Sequence, residues 1–230
     1  MSQFQELLAR VRTALERAPS EADSEPKAPS VLPVSAAALR ARLASRFVRQ
    51  LEAVSGKVVK VSSAAGAAAA IAELCREKGV SRVAIGAGLT PDLSSALLGL
   101  VRNGGRQIGC GPVRDGDRIT TREHAAGCEL GIAQAHYAIA ASGTLAVIAN
   151  ASNPQTLSLL PPISVIIVDI DRIVEDLASA LRLLAPELSN GAQLTLITGP
   201  SRTADIEKRI VLGVHGPKEL WVILNWPEND

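Results

Sequence analysis

Residues 82–92, RVAIGAGLTPD, contain the pattern that decides the fold. The run RVAIG is short and largely apolar, which is typical of a strand buried on both faces of a sheet. Thr90 then supplies a helix N-cap, Pro91 suits the first helical position, and Asp92 places a negative charge in the first turn. The segment therefore predicts a buried strand that leads directly into a helix.

The same strand and helix rhythm extends in both directions from this segment. Upstream, KVVKVS at 57–62 precedes an Ala-rich helix that ends at Gly79. Downstream, apolar runs predict strands at 137–141, 145–149, 164–168, 194–198 and 220–224. Further helices are predicted at 35–54, near 121–133, near 173–184 and near 202–212. Apolar strands alternating with helices indicate a three-layer α/β fold, with one mostly parallel sheet covered on both faces.

Composition and charge narrow the class of protein. The chain of 230 residues suits one large domain, and with 47% hydrophobic but only 2% aromatic residues its core must be aliphatic. A net charge of +1 shows no excess of basic residues of the kind that nucleic-acid binding requires. The sequence shows no apolar run of transmembrane length and no secretory signal, and its three cysteines form no CxxC pair. We therefore expect a cytoplasmic protein without nucleic-acid partners or membrane insertion.

The N-terminal region differs from the rest of the chain. Apolar residues from Phe4 to Leu15 recur at helical spacing, whereas residues 19–33 contain four prolines and almost nothing to bury. The sequence thus predicts a helical arm at 1–18, a Pro-rich linker at 19–33 and an α/β domain at 34–230. Whether the arm packs on its own body or mediates homo-oligomer contacts stays open at this point.

Three loops follow predicted strands, where open α/β sheets bind ligands. Residues 86–91 begin like a dinucleotide fingerprint, but Pro91 replaces its third glycine, which favours a plain turn. Ser142, Gly143 and Thr144 place two hydroxyls around a glycine that would let a ligand approach the backbone closely. An ordinary tight turn would have the same composition.

The third loop, TGPSRTADIE at 198–207, is the most informative. Gly199 and Pro200 predict a turn, after which a hydroxyl residue caps a helix and Arg202 offers a guanidinium to a carboxylate or phosphate. The acids at 205 and 207 support the alternative of a merely well-capped helix. The predicted anion-binding residues are Ser142, Gly143, Thr144, Thr198, Gly199, Ser201, Arg202 and Thr203.

Motifs for other chemistries are incomplete or missing. His124, Cys128 and His136 lie close in sequence, but no second spaced pair completes a tetrahedral zinc set, so no metal site is predicted. The sequence contains no GxSxG, HExxH or GK[ST] motif, which weakens the serine hydrolase, zincin and NTPase interpretations.

Four segments resemble the lactate utilization protein C family, the short members of the LUD-domain superfamily. They are YAIAASGTLAV at 137–147, SLLPP at 158–162, ITGPSRTADIE at 197–207 and GVHGPKELWVIL at 213–224. The resemblance spans roughly residues 80–225 and implies a fold similar to the glucosamine-6-phosphate deaminase, ribose-5-phosphate isomerase and CoA-transferase group. It also implies the third component of a three-protein system that oxidises L-lactate to pyruvate, with iron–sulfur clusters on the two partner subunits and none on this chain.

The chain departs from this family pattern at several positions. Family members usually carry an acid before the [ST]-G-[ST] turn, whereas Ala141 supplies no carboxylate for nucleophilic or general-base work. Relatives often carry Arg near Gln155 and His near Ser164. Catalysis by this chain alone therefore stays open, and His215 is the remaining acid/base candidate, with a structural histidine in a Gly-Pro turn as the alternative.

The sequence thus favours an accessory subunit of an iron–sulfur L-lactate oxidation system that binds a small anionic metabolite where strands end. Two alternatives remain open. One is an autonomous enzyme acting on sugar phosphates or CoA thioesters, which the fold group alone suggests. The other is a non-catalytic metabolite-binding scaffold, which the arm and linker suggest.

Overall fold

The structure, a computed structural model, describes residues 36–86, 88–103, 107–110, 125–149, 154–204, 210–212 and 216–226. The predicted arm and linker, His124 and His215 lie outside these residues. The helices are α1 (Ala36–Ala53), α2 (Ala64–Glu77), α3 (Pro91–Asn103), α4 (Thr156–Leu159) and α5 (Leu177–Ser189), with a 3-10 turn at Ile170–Arg172. The strands are β1 (Lys57–Val61), β2 (Arg82–Ile85), β3 (Gln107–Cys110), β4 (Leu130–Gln134), β5 (Tyr137–Ile139), β6 (Thr144–Ala149), β7 (Ile163–Asp169), β8 (Ile173–Val174), β9 (Gln193–Ile197), β10 (Arg202–Ala204), β11 (Ile210–Leu212) and β12 (Glu219–Asn225).

Six strands form an all-parallel sheet in the order β1-β12-β7-β4-β2-β3. Helices α2 and α3 cover one face, where Ile71 and Leu97 join Val83, Ile132 and Val165 in one buried aliphatic cluster. The strand and helix pattern around residues 82–92 therefore forms as predicted, and the α/β class is confirmed.

The other face of the parallel sheet is covered by α1 together with a second sheet. This second sheet has four strands in the order β8-β5-β6-β9, with antiparallel β5–β6 and β6–β9 pairs. Phe47 of α1 and Val147 of β6 share a buried cluster with Ile166 and Val222 of the parallel sheet. Helix α5 covers the outer face of the second sheet through Leu184. The prediction of one sheet with helices on both faces is therefore wrong for this face.

Burial of the second sheet on both faces explains why the sequence did not predict it. The second sheet is enclosed between α5 and the parallel sheet, so β6 is apolar on both faces, and five of its six residues are buried. A continuous apolar run does not distinguish a parallel strand from an antiparallel strand buried in this way.

The structure differs from the prediction at three of the predicted helices. Within the predicted helix 121–133, Leu130–Gln134 instead form β4, which pairs with both β7 and β2 at the centre of the parallel sheet. The helix predicted at 202–212 is replaced by strands β10 and β11, which pair as an antiparallel ribbon. The helix predicted near 173–184 begins later, because Ile173–Val174 form β8 and Asp176 caps α5 by accepting the N–H of Ser179 at 2.8 Å. At β4, non-local strand pairing overrides local helical periodicity.

Two turns of the second sheet dock on the last turn of α1 through glycines. Gly143 has φ +66°, and a Cβ added there would lie 2.6 Å from the carbonyl carbon of Gln50. Gly199 has φ +83°, and a Cβ there would lie 2.7 Å from the Val54 oxygen. Both turns thus approach the helix backbone to a distance that excludes any side chain, in a conformation that glycine adopts without strain. At Gly143, the group that approaches the backbone is helix α1.

Two carboxylates accept hydrogen bonds at the amino edge of the parallel sheet. The Glu219 carboxylate accepts hydrogen bonds from Lys57 Nζ at 2.8 Å, Lys78 Nζ at 2.6 Å and Trp221 Nε1 at 3.2 Å. Burial raises the pKa of Glu219, but these hydrogen bonds outweigh it and lower the pKa to about 2. Glu129 similarly accepts the N–H groups of Ser81 and Arg82, at 2.6 and 2.9 Å, which lower the pKa of its carboxyl group.

Replacing Glu219 with Gln should destabilise the fold by about 1–2 kcal/mol at neutral pH, because two ammonium groups lose their charged acceptor. The pKa of Glu219 is lowered on folding, so its contribution is complete above pH 4.5 and is lost as the pH falls towards 2. Urea unfolding of wild type and Glu219→Gln across this range measures the effect. Glu73→Gln, which breaks only the exposed contact with Arg76, is the control and should change stability little. Equal stability of wild type and Glu219→Gln at neutral pH would contradict this role.

Replacing Gly143 with Ala should destabilise the protein by about 2–4 kcal/mol, from left-handed backbone strain plus a clash with α1. Gly79→Ala is a matched control, because Gly79 has φ +64° but open space around an added Cβ. This control should cost only about 1 kcal/mol from backbone strain. Thermal unfolding of both variants separates the two costs, and equal losses would show that docking on α1 is not tight.

Candidate functional site

A chain of three hydroxyls joins the two turns that dock on α1. Thr144 is the first residue of β6 and is only 6% exposed. Its Oγ1 lies 2.7 Å from Ser142 Oγ and 2.7 Å from Thr198 Oγ1. Pairing of Leu145 with Ile197 sets these residues side by side. The structure therefore brings together three of the hydroxyl residues that the sequence singled out in separate loops.

The two ends of this hydroxyl chain are exposed. The Thr144 hydroxyl carries one proton, so it donates to one neighbour and accepts from the other. Ser142 and Thr198 are both exposed residues, and each hydroxyl retains capacity for a further hydrogen bond. The arrangement presents two polar groups on a buried, rigid support.

Arg202 is the first residue of β10, four positions after Thr198. Its Nη2 donates a hydrogen bond of 2.6 Å to Ser55 Oγ, in the turn that follows α1. Within the described residues no carboxylate forms an ion pair with Arg202. The guanidinium has five N–H donors in a planar fork, so the contact with Ser55 leaves donors for a carboxylate or phosphate.

Ser55 is a site residue that the sequence analysis missed. It has φ +70°, a left-handed conformation that is uncommon outside glycine, and its N–H donates to Glu52 O at 2.9 Å. Its sequence context, Val-Ser-Gly after a helix, signals only a turn. The strained backbone aims the hydroxyl at Arg202, and no local motif could have predicted a partner 147 residues away.

The site lies on an unexpected edge of the parallel sheet. Thr198 directly follows β9, as predicted for a loop after a strand. However, Ser55 precedes β1 by two residues, and Ser201 donates its N–H to Pro217 O at 2.9 Å, just before β12. The cluster is therefore at the amino ends of β1 and β12, whereas open α/β sheets bind ligands beyond their carboxyl ends.

This position has an electrostatic consequence. The carbonyl end of α1, where Val54 contacts Gly199, carries partial negative charge. That charge favours the Arg202 cation and opposes an anion, so any bound anion would depend on the guanidinium and the hydroxyls rather than on the helix.

Three of the segments that carry the family resemblance meet at this edge. Besides the contact between Ser201 and Pro217, the N–H groups of Lys218 and Glu219 donate to Pro162 O at 2.8 and 3.2 Å. These residues belong to the TGPSRTADIE, HGPKEL and SLLPP segments, so distant parts of the sequence form one local structure.

Ala141 supplies no carboxylate before the turn, and Glu175 is an acidic residue whose main chain contacts it. The Ala141 N–H donates to Glu175 O at 2.9 Å, so Glu175 lies close to Ala141 in space. Its carboxylate, however, lies 3.8 Å from Arg46 Nη1 on α1. The described arrangement supplies hydrogen-bond donors and one cation, a set suited to binding.

The remaining candidates are placed as follows. Thr203 lies in β10 opposite Val211. His136 accepts the Ile148 N–H on Nδ1 at 3.2 Å, and burial, aided by Arg172 and opposed by Glu187, lowers the pKa of its imidazole. This histidine therefore contributes a hydrogen-bond acceptor to β6 through Nδ1. The acid/base candidate His215 stays a prediction.

Two larger features are absent from the described residues. No group of three or more His, Cys, Asp or Glu side chains there is arranged to hold a metal ion. None of the helices in this part of the chain has the length and apolarity needed to span a bilayer.

Comparison with known proteins places this architecture in a family. The LUD domain family matches residues 44–225. Lactate utilization protein C of Halalkalibacterium halodurans is 34% identical over 107 residues, 45% of this chain and 46% of that protein. Its counterpart in Bacillus subtilis is 34% identical over 99 residues, 41% of each chain. The matches thus span about half the length of these relatives or less.

Two further relatives extend the coverage. The uncharacterized protein YkgG of Escherichia coli is 30% identical over 173 residues, which is 72% of each chain. The crystal structure of a DUF162 family protein from Deinococcus radiodurans superimposes with a TM-score of 0.59 on 84% of this chain and 100% of that chain, at 20% identity, which supports the fold alone. Because the family match extends over most of the sequence, the resemblance carried by the four segments is confirmed, and the chain belongs to the LUD domain family.

Proposed function

We propose that this protein is the accessory component of a cytoplasmic system that oxidises L-lactate to pyruvate, with the iron–sulfur clusters carried by partner subunits. The proposal is supported by the relatives named lactate utilization protein C, which are 34% identical over their matched regions. In this role the chain binds a small carboxylate metabolite and needs no cluster ligands of its own.

The observations that support the proposal are the hydroxyl chain of Ser142, Thr144 and Thr198 and the Arg202 guanidinium, which follows Thr198 by four residues and is held by Ser55 after α1. A guanidinium fork matches the two oxygens of a carboxylate, and hydroxyl groups pair with a neighbouring hydroxyl or keto oxygen. L-lactate and pyruvate each present both features on adjacent carbons. The site we propose therefore binds a 2-hydroxy or 2-oxo acid through Arg202, with the hydroxyls setting its orientation.

Binding without turnover is the chemistry that this donor set supports best. Turnover of a hydroxy acid needs an acceptor for the hydroxyl proton and an acceptor for electrons. Glu175, whose main-chain oxygen accepts the Ala141 N–H, has its carboxylate 3.8 Å from Arg46 Nη1. We therefore assign the redox chemistry to the partner subunits and metabolite binding to this chain.

Arg202→Ala should weaken binding of L-lactate or pyruvate by about 1.5–3 kcal/mol, roughly 10- to 150-fold, because a charged donor is lost. Isothermal titration calorimetry on the full chain measures this. Ser55→Ala should weaken binding less, because it removes the contact that holds the guanidinium but leaves the charge.

Arg182→Ala is the matched control for this experiment. Arg182 is also an exposed arginine that donates to a serine hydroxyl, that of Ser179 at 3.1 Å, but it lies on α5. Its removal should leave binding unchanged. Equal effects of Arg202→Ala and Arg182→Ala, or no binding of either acid by wild type, would overturn the proposed site.

A further inference from the structure

The three hydroxyls of the candidate site share a fixed number of protons. Thr144 Oγ1 lies 2.7 Å from Ser142 Oγ and 2.7 Å from Thr198 Oγ1, and each contact requires one proton between its two oxygens. Each hydroxyl carries a single proton, so two of the three protons are used within the chain. At most one of the two end hydroxyls can therefore donate a hydrogen bond to a bound molecule while both contacts are kept.

The buried position of Thr144 enforces this limit. Thr144 is only 6% exposed, so water has little access to replace either of its neighbours. The pairing of β6 with β9 holds Thr144 and Thr198 side by side on adjacent strands. Leaving a buried hydroxyl without its hydrogen bond costs free energy, so both contacts are retained when a molecule binds. The number of donors at the exposed ends is thus set by a residue that the bound molecule does not need to touch.

The two end hydroxyls are spaced to share one oxygen of a bound molecule. Near-tetrahedral geometry at Thr144 Oγ1 sets Ser142 Oγ and Thr198 Oγ1 roughly 4–5 Å apart. One oxygen placed between them lies within about 3 Å of both, which is hydrogen-bond distance. An alcohol oxygen at that position accepts from one end and donates to the other, which closes a ring of four hydroxyls. A keto oxygen has no proton, so it accepts from one end but faces a lone pair at the other.

We propose that Thr144 is a specificity-determining residue, through which the hydroxyl chain prefers a 2-hydroxy acid to the corresponding 2-oxo acid. This inference rests on the proposed function, which places a small acid at this site, and it adds the physical reason for discrimination between the two acids. A site with this preference holds the reduced acid and releases the oxidised one.

Calorimetry of the full chain with L-lactate and with pyruvate tests this proposal. Wild type should bind L-lactate about 2- to 12-fold more tightly, which is the effect of one net hydrogen bond. Thr144→Val removes the central hydroxyl with little change of shape, so both end hydroxyls become free to donate outward. The keto oxygen then accepts two hydrogen bonds, and the preference for L-lactate should disappear or reverse.

Two further variants separate this effect from general damage to the site. Thr144→Ser keeps a hydroxyl at the centre of the chain, so it should keep the preference for L-lactate. Thr156→Val is the matched control, because Thr156 Oγ1 is also buried but has no hydrogen-bond partner among the described residues. This control should leave the ratio of the two affinities unchanged. Circular dichroism checks that each variant folds.

The possible results distinguish this inference from the proposed function. An unchanged ratio of affinities in Thr144→Val would overturn the role of Thr144, while binding of a small acid at the site would still stand. Equal binding of the two acids by wild type would overturn the inference even if Thr144→Val did not fold. Binding of neither acid by wild type would overturn the proposed function and this inference together.

Discussion

The backbone at the last turn of α1 is in direct contact with the glycines of two distant turns, and this contact holds the two sheets in place. Gly143 and Gly199 each bring the second sheet to within a distance of the α1 backbone that no side chain would allow. This contact fixes the second sheet against the parallel sheet, because α1 shares one aliphatic cluster with both. It also fixes where Ser142, Thr144 and Thr198 meet.

The same contact explains the unusual position of the candidate site. The last turn of α1 leads through Ser55 into the amino end of β1, so a cluster docked there lies at the amino edge of the parallel sheet. In open α/β proteins this edge usually contributes stability, as the carboxylate contacts of Glu219 and Glu129 do here. A metabolite site at this edge depends on the second sheet for its hydroxyls, and its location would distinguish this fold from doubly wound folds.

Sequence reasoning identified most local elements of the fold but not its division into two sheets. Apolar runs such as LAVIA and LTLIT mark strands correctly, but burial on both faces removes the alternation that would mark them as antiparallel. Residues 202–212 show helical capping signals, yet the described parts of this segment form a strand pair. The position of β4 at the centre of the parallel sheet is set by tertiary contacts that local propensity does not contain.

The candidate site was predictable to a different degree for each residue. Hydroxyls next to a glycine marked Ser142 and Thr144, and the loop after β9 marked Thr198 and Arg202. Their proximity follows from the β6–β9 register, which the sequence does not specify. Ser55 was missed because its role depends on a left-handed turn and on a contact across 147 positions.

Assignment of this chain to a lactate oxidation system is tested by purifying the tagged full chain from its native cells under mild conditions. The visible spectrum and lactate-dependent dye reduction of whatever co-purifies are then recorded. We expect brown material that oxidises L-lactate, with the iron on the co-purified subunits and none on this chain after separation. A colourless protein that purifies alone at every salt concentration tried would contradict the assignment to an iron–sulfur lactate oxidation system.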